Sequence, residues 1–157
     1  MPTMGPHALW SHFDYCGGGE GYYEFQRLED EALEVYLGEG RTPAFYAHID
    51  PLRRRLRYEN ALPHPALVVR ANSARVFHLV EEGTLRLEPG DVLAAFAGEI
   101  HERSVIGIVR DNPSDRAAAL VSRILEVTRG TVVAVRFIAS EIPALAEESA
   151  DMTLAVA

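Results

Sequence analysis

The sequence contains no lysine: all fifteen of its basic residues are arginine. That excludes a lysine nucleophile, a Schiff base and the lysine of a phosphate-binding P-loop. Cysteine is nearly absent as well. Cys16 stands alone, so no internal disulfide can form and no CxxC pair points to zinc. A lone thiol becomes a nucleophile only beside a group that lowers its pKa, such as histidine. The plainer expectation for Cys16 is a small, partly buried residue. No apolar run approaches the roughly 18 residues of a membrane span. The first residues show no basic segment leading into an apolar one, so no signal peptide is expected and a cytoplasmic location follows by default. Positive charge is in deficit, with a formal net charge of −8. Nucleic acid, whose phosphates demand a basic face, is therefore not an expected partner. Serine, histidine and aspartate all occur, but no Gly-x-Ser-x-Gly elbow does, which leaves no basis for a serine hydrolase.

What is present suits one folded unit. The chain has 157 residues, 48% hydrophobic and 24% charged, which predicts a single domain over 1–157 with a packed core. The pattern along it is mostly strand. Gly17, Gly18 and Gly19 suggest a loop-like start with one short strand near Trp10–Tyr15. Further strands are expected at Tyr22–Leu28, Ala32–Leu37, Pro43–Ile49, Arg53–Asn60, Ala66–Arg70, Arg75–Val80 and Val92–Phe96. A turn is expected at Asp50–Pro51. Helical spacing of apolar residues predicts a helix over Ser114–Thr128, with Ser114 as N-cap and Gly130 as its stop. Strands at Thr131–Ile138 and Met152–Val156 and a short helix at Ile142–Ser149 complete the pattern. The fold class is α+β, a mostly antiparallel β-sandwich with flanking helices.

One long stretch carries a resemblance. Ala44 to Arg70, AFYAHIDPLRRRLRYENALPHPALVVR, resembles the central hairpins of the SpoIIE-like branch of the metal-dependent (PPM-type) serine/threonine protein phosphatases. There a strand ends in Asp-Pro, a strand of the form RLRYxNAGHPP follows, and a third strand ends in arginine. The matching residues are Asp50, Pro51, Arg55–Tyr58, Asn60, Ala61, His64, Pro65 and Arg70. Three shorter pieces agree in order. Leu87–Phe96 is similar to the family's LxPGDxLLLY, Gly17–Phe25 to its GGDYYDF, and Ala150–Ala157 to its closing DDxTLLVV.

The resemblance implies a truncated phosphatase-like fold. In the family, aspartates between two sheets hold two manganese or magnesium ions that activate a bridging water. Here those positions differ. The first aspartate falls on Glu20 or Gly21. Glu39 stands for the second, with the family's glycine loop and two long helices missing after it. The third falls in Ala97–Gly98–Glu99, on glycine, and the fourth on Ala150, leaving only Asp151 beside it. The candidate metal ligands are thus Glu20, Glu39, Glu99 and Asp151. No cofactor is expected on this set, and no catalytic residue is assigned; manganese or magnesium is expected only if the chain is an active phosphatase. The missing helices predict an apolar sheet face open to water, hence a homo-oligomer, a dimer, formed through that face or a strand edge.

Three functions compete on these residues. The first is a pseudophosphatase, a regulatory or protein-binding module in bacterial signalling, with a protein partner. The second is an active phosphatase using Glu20, Glu39 and Glu99 or Asp151. The third is a cupin-type metal or small-ligand binder, because Gly90, Asp91, Gly98 and His101 fit the second cupin motif. The first cupin motif is incomplete: His48 lacks a second histidine nearby, and His64 falls in a turn. His78 is expected to face solvent, and His7 and His12, with Trp10 and Tyr15, read either as a site or, more plainly, as part of a mobile terminus. Arg53, Arg54, Arg55 and Arg57 form a basic cluster, read as a solvated hairpin turn or an anion site.

Overall fold

A computed structural model describes residues 9–10, 12–39, 42–71 and 73–138. Over them the strands are β1 Leu9–Trp10, β2 Phe13–Gly19, β3 Tyr22–Arg27, β4 Leu33–Glu39, β5 Thr42–Asp50 and β6 Arg55–Asn60. They continue with β7 Ala66–Val69, β8 Val76–Leu79, β9 Glu81–Arg86 and β10 Val92–Glu99. Helices α1 Glu102–Asp111 and α2 Ala117–Leu125 and strand β11 Arg129–Phe137 follow. The helix expected at Ile142–Ser149 and the strand expected at Met152–Val156 lie outside the described residues.

Two sheets result, with strand orders β1-β2-β11-β10-β7-β8 and β3-β4-β5-β6-β9. All pairings described in them are antiparallel. The difference between them is written in their residue patterns. In the five-stranded sheet, Leu33, Val35 and Leu37 of β4 and Phe45, Ala47 and Ile49 of β5 are buried, while the residues between them are partly exposed. That period of two makes a sheet covered on one face. In β7, β10 and β11 nearly every residue is buried, as in strands covered on both faces. Leu93 and Ala95 of β10 join the core between the sheets, beside Phe13, Phe45 and Leu56. Val92, Ala94 and Phe96 of the same strand face the helices, against Val105, Leu120, Val121 and Ile124. The layers therefore run sheet, sheet, helices. This is the α+β architecture expected from the sequence.

Four local expectations are corrected. Gly17–Gly19 do not form a loop; they are the second half of β2, paired with Thr131–Val133 of β11. Gly130 is not a helix stop but lies within β11. The second helix is shorter than Ser114–Thr128, and its first N–H is capped across the fold: Ala117 donates to Asp14 Oδ2 at 2.8 Å. His12 does not lie on an open terminus but is buried, with Nε2 3.0 Å from Glu31 Oε1, and His7 lies outside the described residues. Helix α1 has no counterpart among the expected elements.

The expected apolar open face is also corrected. The helices cover only the six-stranded sheet. The outer face of the five-stranded sheet, which no described helix covers, carries Glu24, Glu34, Tyr46, Arg57, Glu59 and Thr84 at its outward positions. It is polar and needs no apolar cover.

Candidate functional site

The positions matched to phosphatase metal ligands gather at one end of the sandwich. Glu20 lies exposed in the turn joining β2 to β3. The N–H of the next residue, Gly21, donates to Thr131 Oγ1 on β11. Glu39 is the last residue of β4, opposite Thr42. Its neighbour Gly38 brings its carbonyl to Gly21: a Cβ at position 21 would stand 3.2 Å from that oxygen. Gly98 and Glu99 end β10, opposite Gly130 and Arg129, and Glu99 is exposed. Asp151 lies outside the described residues.

Convergence of the backbone does not make a metal centre, because side chains must supply the oxygens. Hard divalent cations need several carboxylate or carbonyl oxygens at about 2.0–2.6 Å. At Gly21 a Cβ would meet Thr131 Oγ1 at 2.3 Å, so the threonine hydroxyl occupies the space of a side chain. At Gly98 the backbone has φ +127°, and a Cβ would lie 2.0 Å from the carbonyl oxygen of Arg129. Gly130, its register partner, repeats the arrangement, with φ +127° and a Cβ position 2.0 Å from the carbonyl oxygen of Ala97. The two strands approach here more closely than any residue with a side chain allows. Among the described residues no three His, Cys, Asp or Glu side chains cluster as metal ligands. At Gly98 the described residues supply no carboxylate oxygen where the resemblance places one.

The matched residues that are retained hold strands together. Asn60 is the clearest case. Its Nδ2 donates to the carbonyls of His64 at 3.1 Å and Leu79 at 2.9 Å, and its Oδ1 accepts from Leu62 N–H at 2.8 Å. One side chain thus closes the β6–β7 turn and ties it to β8 of the other sheet. Replacing Asn60 with alanine is expected to cost about 2 kcal/mol, because the partners lose their bonds together; a shift in the urea midpoint measures it. Asp50 organises the Asp-Pro turn by accepting from the N–H groups of Leu52 and Arg53 and pairing with the Arg53 guanidinium at 3.0 Å. Arg70 and Asp91 form a buried ion pair at 2.9 Å, and Arg70 also lies over the Phe77 ring at 4.8 Å. Its hydrogen bond to Asp91 raises the guanidinium pKa further.

The remaining sequence candidates are dispersed. His101 is exposed and stands at the start of α1 without a side-chain capping bond. It lines a shallow hollow of about 300 Å³ with Glu99, Glu126 and Arg129. His48 lies on the outer face of the other sheet, and Asp91 is already paired with Arg70. The cupin constellation is therefore not assembled. His78 does face solvent, bonded to Glu102. Burial, then the nearby Asp14 charge, pushes the Cys16 thiol up, away from a thiolate.

A feature not foreseen from the sequence is the aromatic and acidic patch on the open sheet. Tyr36 and Tyr46 pack with ring centroids 5.2 Å apart. Both hydroxyls donate to Glu34, Tyr46 at 2.6 Å. Burial and that carboxylate push Tyr46 up to about 12. With Glu59, Glu81 and Glu82 the two rings border an open depression of about 570 Å³. Alternation along the strands could have shown these residues on one face, but not that the rows would align.

No family model and no curated protein matches the sequence. Among solved structures, the chain superimposes on the RsbU and RsbW domains of Rv1364c from Mycobacterium tuberculosis, with a TM-score of 0.61 over 83% of this chain. The fold is shared with that structure. Sequence identity is 13%, so the likeness is one of fold, and the chain spans 61% of the other's length. The α+β sandwich expected from the phosphatase resemblance is the architecture found. Among the described residues no helix is long and apolar enough to cross a membrane.

Proposed function

We propose that this chain is a phosphatase-like scaffold of the SpoIIE-like kind that has lost two-metal chemistry and acts as a protein-binding regulatory module in bacterial signalling. The observation that carries this reading is steric. Gly98, matched to a metal-binding aspartate, has the backbone carbonyl of Arg129 where a side chain would start, and Gly21, which shares the first aspartate match with Glu20, stands against the Thr131 hydroxyl. The retained family residues, Asn60, Arg70 and Asp91, serve the fold. The fold shared with the RsbU and RsbW domain structure supports a signalling role with a protein partner.

Calorimetric titration with manganese and magnesium, joined to a phosphopeptide turnover assay on the same sample, tests it. No stoichiometric binding at millimolar metal and no turnover is the expected result. Stoichiometric binding with turnover, lost in Glu39→Gln, overturns it in favour of an active phosphatase.

A further inference from the structure

The open face of the five-stranded sheet sets like charges opposite each other on two of its strands, and only Asp50, opposite Arg55, answers one of them. β6 and β9 run antiparallel, with Glu59 opposite Glu82 and Arg55 opposite Arg86. All four side chains are exposed on the outer face. Like charges directly opposite each other in a sheet repel. No hydrogen bond or ion pair among the described residues reaches any of the four side chains. The acidic pair and the basic pair are four residues apart along the strands, about 14 Å at ~3.4 Å per residue. Between them lies the row of Arg57 and Thr84.

The polarity continues across the sheet. Glu24 extends the acidic row through Tyr36 and Tyr46, while at the other end Arg53 is paired with Asp50, which leaves Arg55 and Arg86 to make that end net basic. A face acidic at one end and basic at the other is complementary to itself. A two-fold axis along the Arg57–Thr84 row stacks β6 on the partner's β6 with strand direction reversed. Glu59 then lies over the partner's Arg55, and Glu82 over the partner's Arg86, with two reciprocal pairs. Arg57 lies on the axis and meets the partner's Arg57, a like-charge contact that weakens the dimer.

We propose that this face is a homodimer interface, two copies of the chain stacked sheet on sheet through Glu59, Glu82, Arg55 and Arg86. It goes beyond the proposed regulatory role and does not depend on whether metal binds. The face is small, five strands at ~4.8 Å spacing by about six residues. That is below the ~800 Å² per partner of a standard interface, so the dimer is weak, reversible and sensitive to salt.

A charge exchange tests it on the full chain by sedimentation velocity in low salt. The unaltered protein is expected to dimerise reversibly and to dissociate in high salt. The pair Glu59→Arg with Glu82→Arg, and separately Arg55→Glu with Arg86→Glu, each leaves a like-charge pair within the chain. Arg55→Glu also sets a glutamate opposite Asp50, so circular dichroism and the urea midpoint of each variant check that the fold is kept. Each double variant alone is expected to dimerise at least about tenfold more weakly, because all charges across the interface now repel. Mixed in equal amounts, the two are expected to regain association. An unaltered protein that stays monomeric at submillimolar concentration overturns the proposal, as does a dimer that neither exchange weakens. A monomer that instead binds an arginine-rich peptide through Glu59 and Glu82 also overturns it, in favour of a basic partner.

Discussion

Gly98→Asp is expected to destabilise the protein by about 3 kcal/mol or more rather than to install a metal ligand. The substitution restores the residue type that the phosphatase resemblance places there, so it separates the two readings of the site sharply. Two costs add. An L-residue at φ +127° sits in backbone territory that glycine alone adopts readily, a strain of about 1–3 kcal/mol. Its Cβ would also lie 2.0 Å from the Arg129 carbonyl oxygen, so β10 and β11 must separate and give up ladder hydrogen bonds at their ends. Against a total stability of about 5–15 kcal/mol for a domain, this is a large loss. Urea denaturation followed by circular dichroism measures it, and manganese calorimetry on the same variant checks for binding. A variant that keeps its midpoint and binds manganese stoichiometrically would show that the strand ends open easily and that the site is one substitution from function.

Asp91→Ala is expected to cost about 3–5 kcal/mol. Asp91 is 1% exposed, and its carboxylate accepts from Arg70 twice, at 3.1 and 2.9 Å, and from the Glu88 N–H at 2.9 Å. Truncation leaves the Arg70 guanidinium, itself 12% exposed, without its main counter-charge, beside a Phe77 ring and a backbone carbonyl. The exposed Glu88, 3.5 Å away, compensates little because solvent screens it. The double variant Arg70→Met with Asp91→Leu is expected to lose less than Asp91→Ala alone, because no buried charge is left unpaired. Denaturation midpoints of the single and double variants form a cycle that reads the coupling directly. Equal losses in the two would mean that the pair contributes through packing and not through charge.

These two cases mark what was legible before the structure. Leu87–Phe96 reads as a turn followed by a buried strand, and so it is. The pattern does not say that Asp91 meets Arg70, because the two stand just beyond the paired ends of β10 and β7, whose register forms only on pairing. Gly98 reads as a ligand position replaced by glycine. That the glycine is required, because β11 presses against it, follows only from its pairing with Gly130 across two intervening helices. Helix α1 was missed for a related reason. Only Val105 and Val109 of its ten residues are buried, so its apolar stripe is too narrow to stand out. The expected apolar open face failed because it was inferred from missing helices, whereas the alternation in β4, β5 and β6 already places polar side chains on the outer surface.

The sequence by itself determined the α+β class, the division into strands buried on one face and strands buried on two, the turn at Asp50–Pro51 and the dispersal of histidines. Each follows from local pattern, because side chains in a strand alternate and apolar residues must leave water. Only the tertiary structure decided that Gly98 has no room for a carboxylate, that Asn60 joins the two sheets, and that like charges align on β6 and β9. Those facts depend on which residues lie opposite one another between strands far apart in the chain, and that is set by the packing of the whole sandwich.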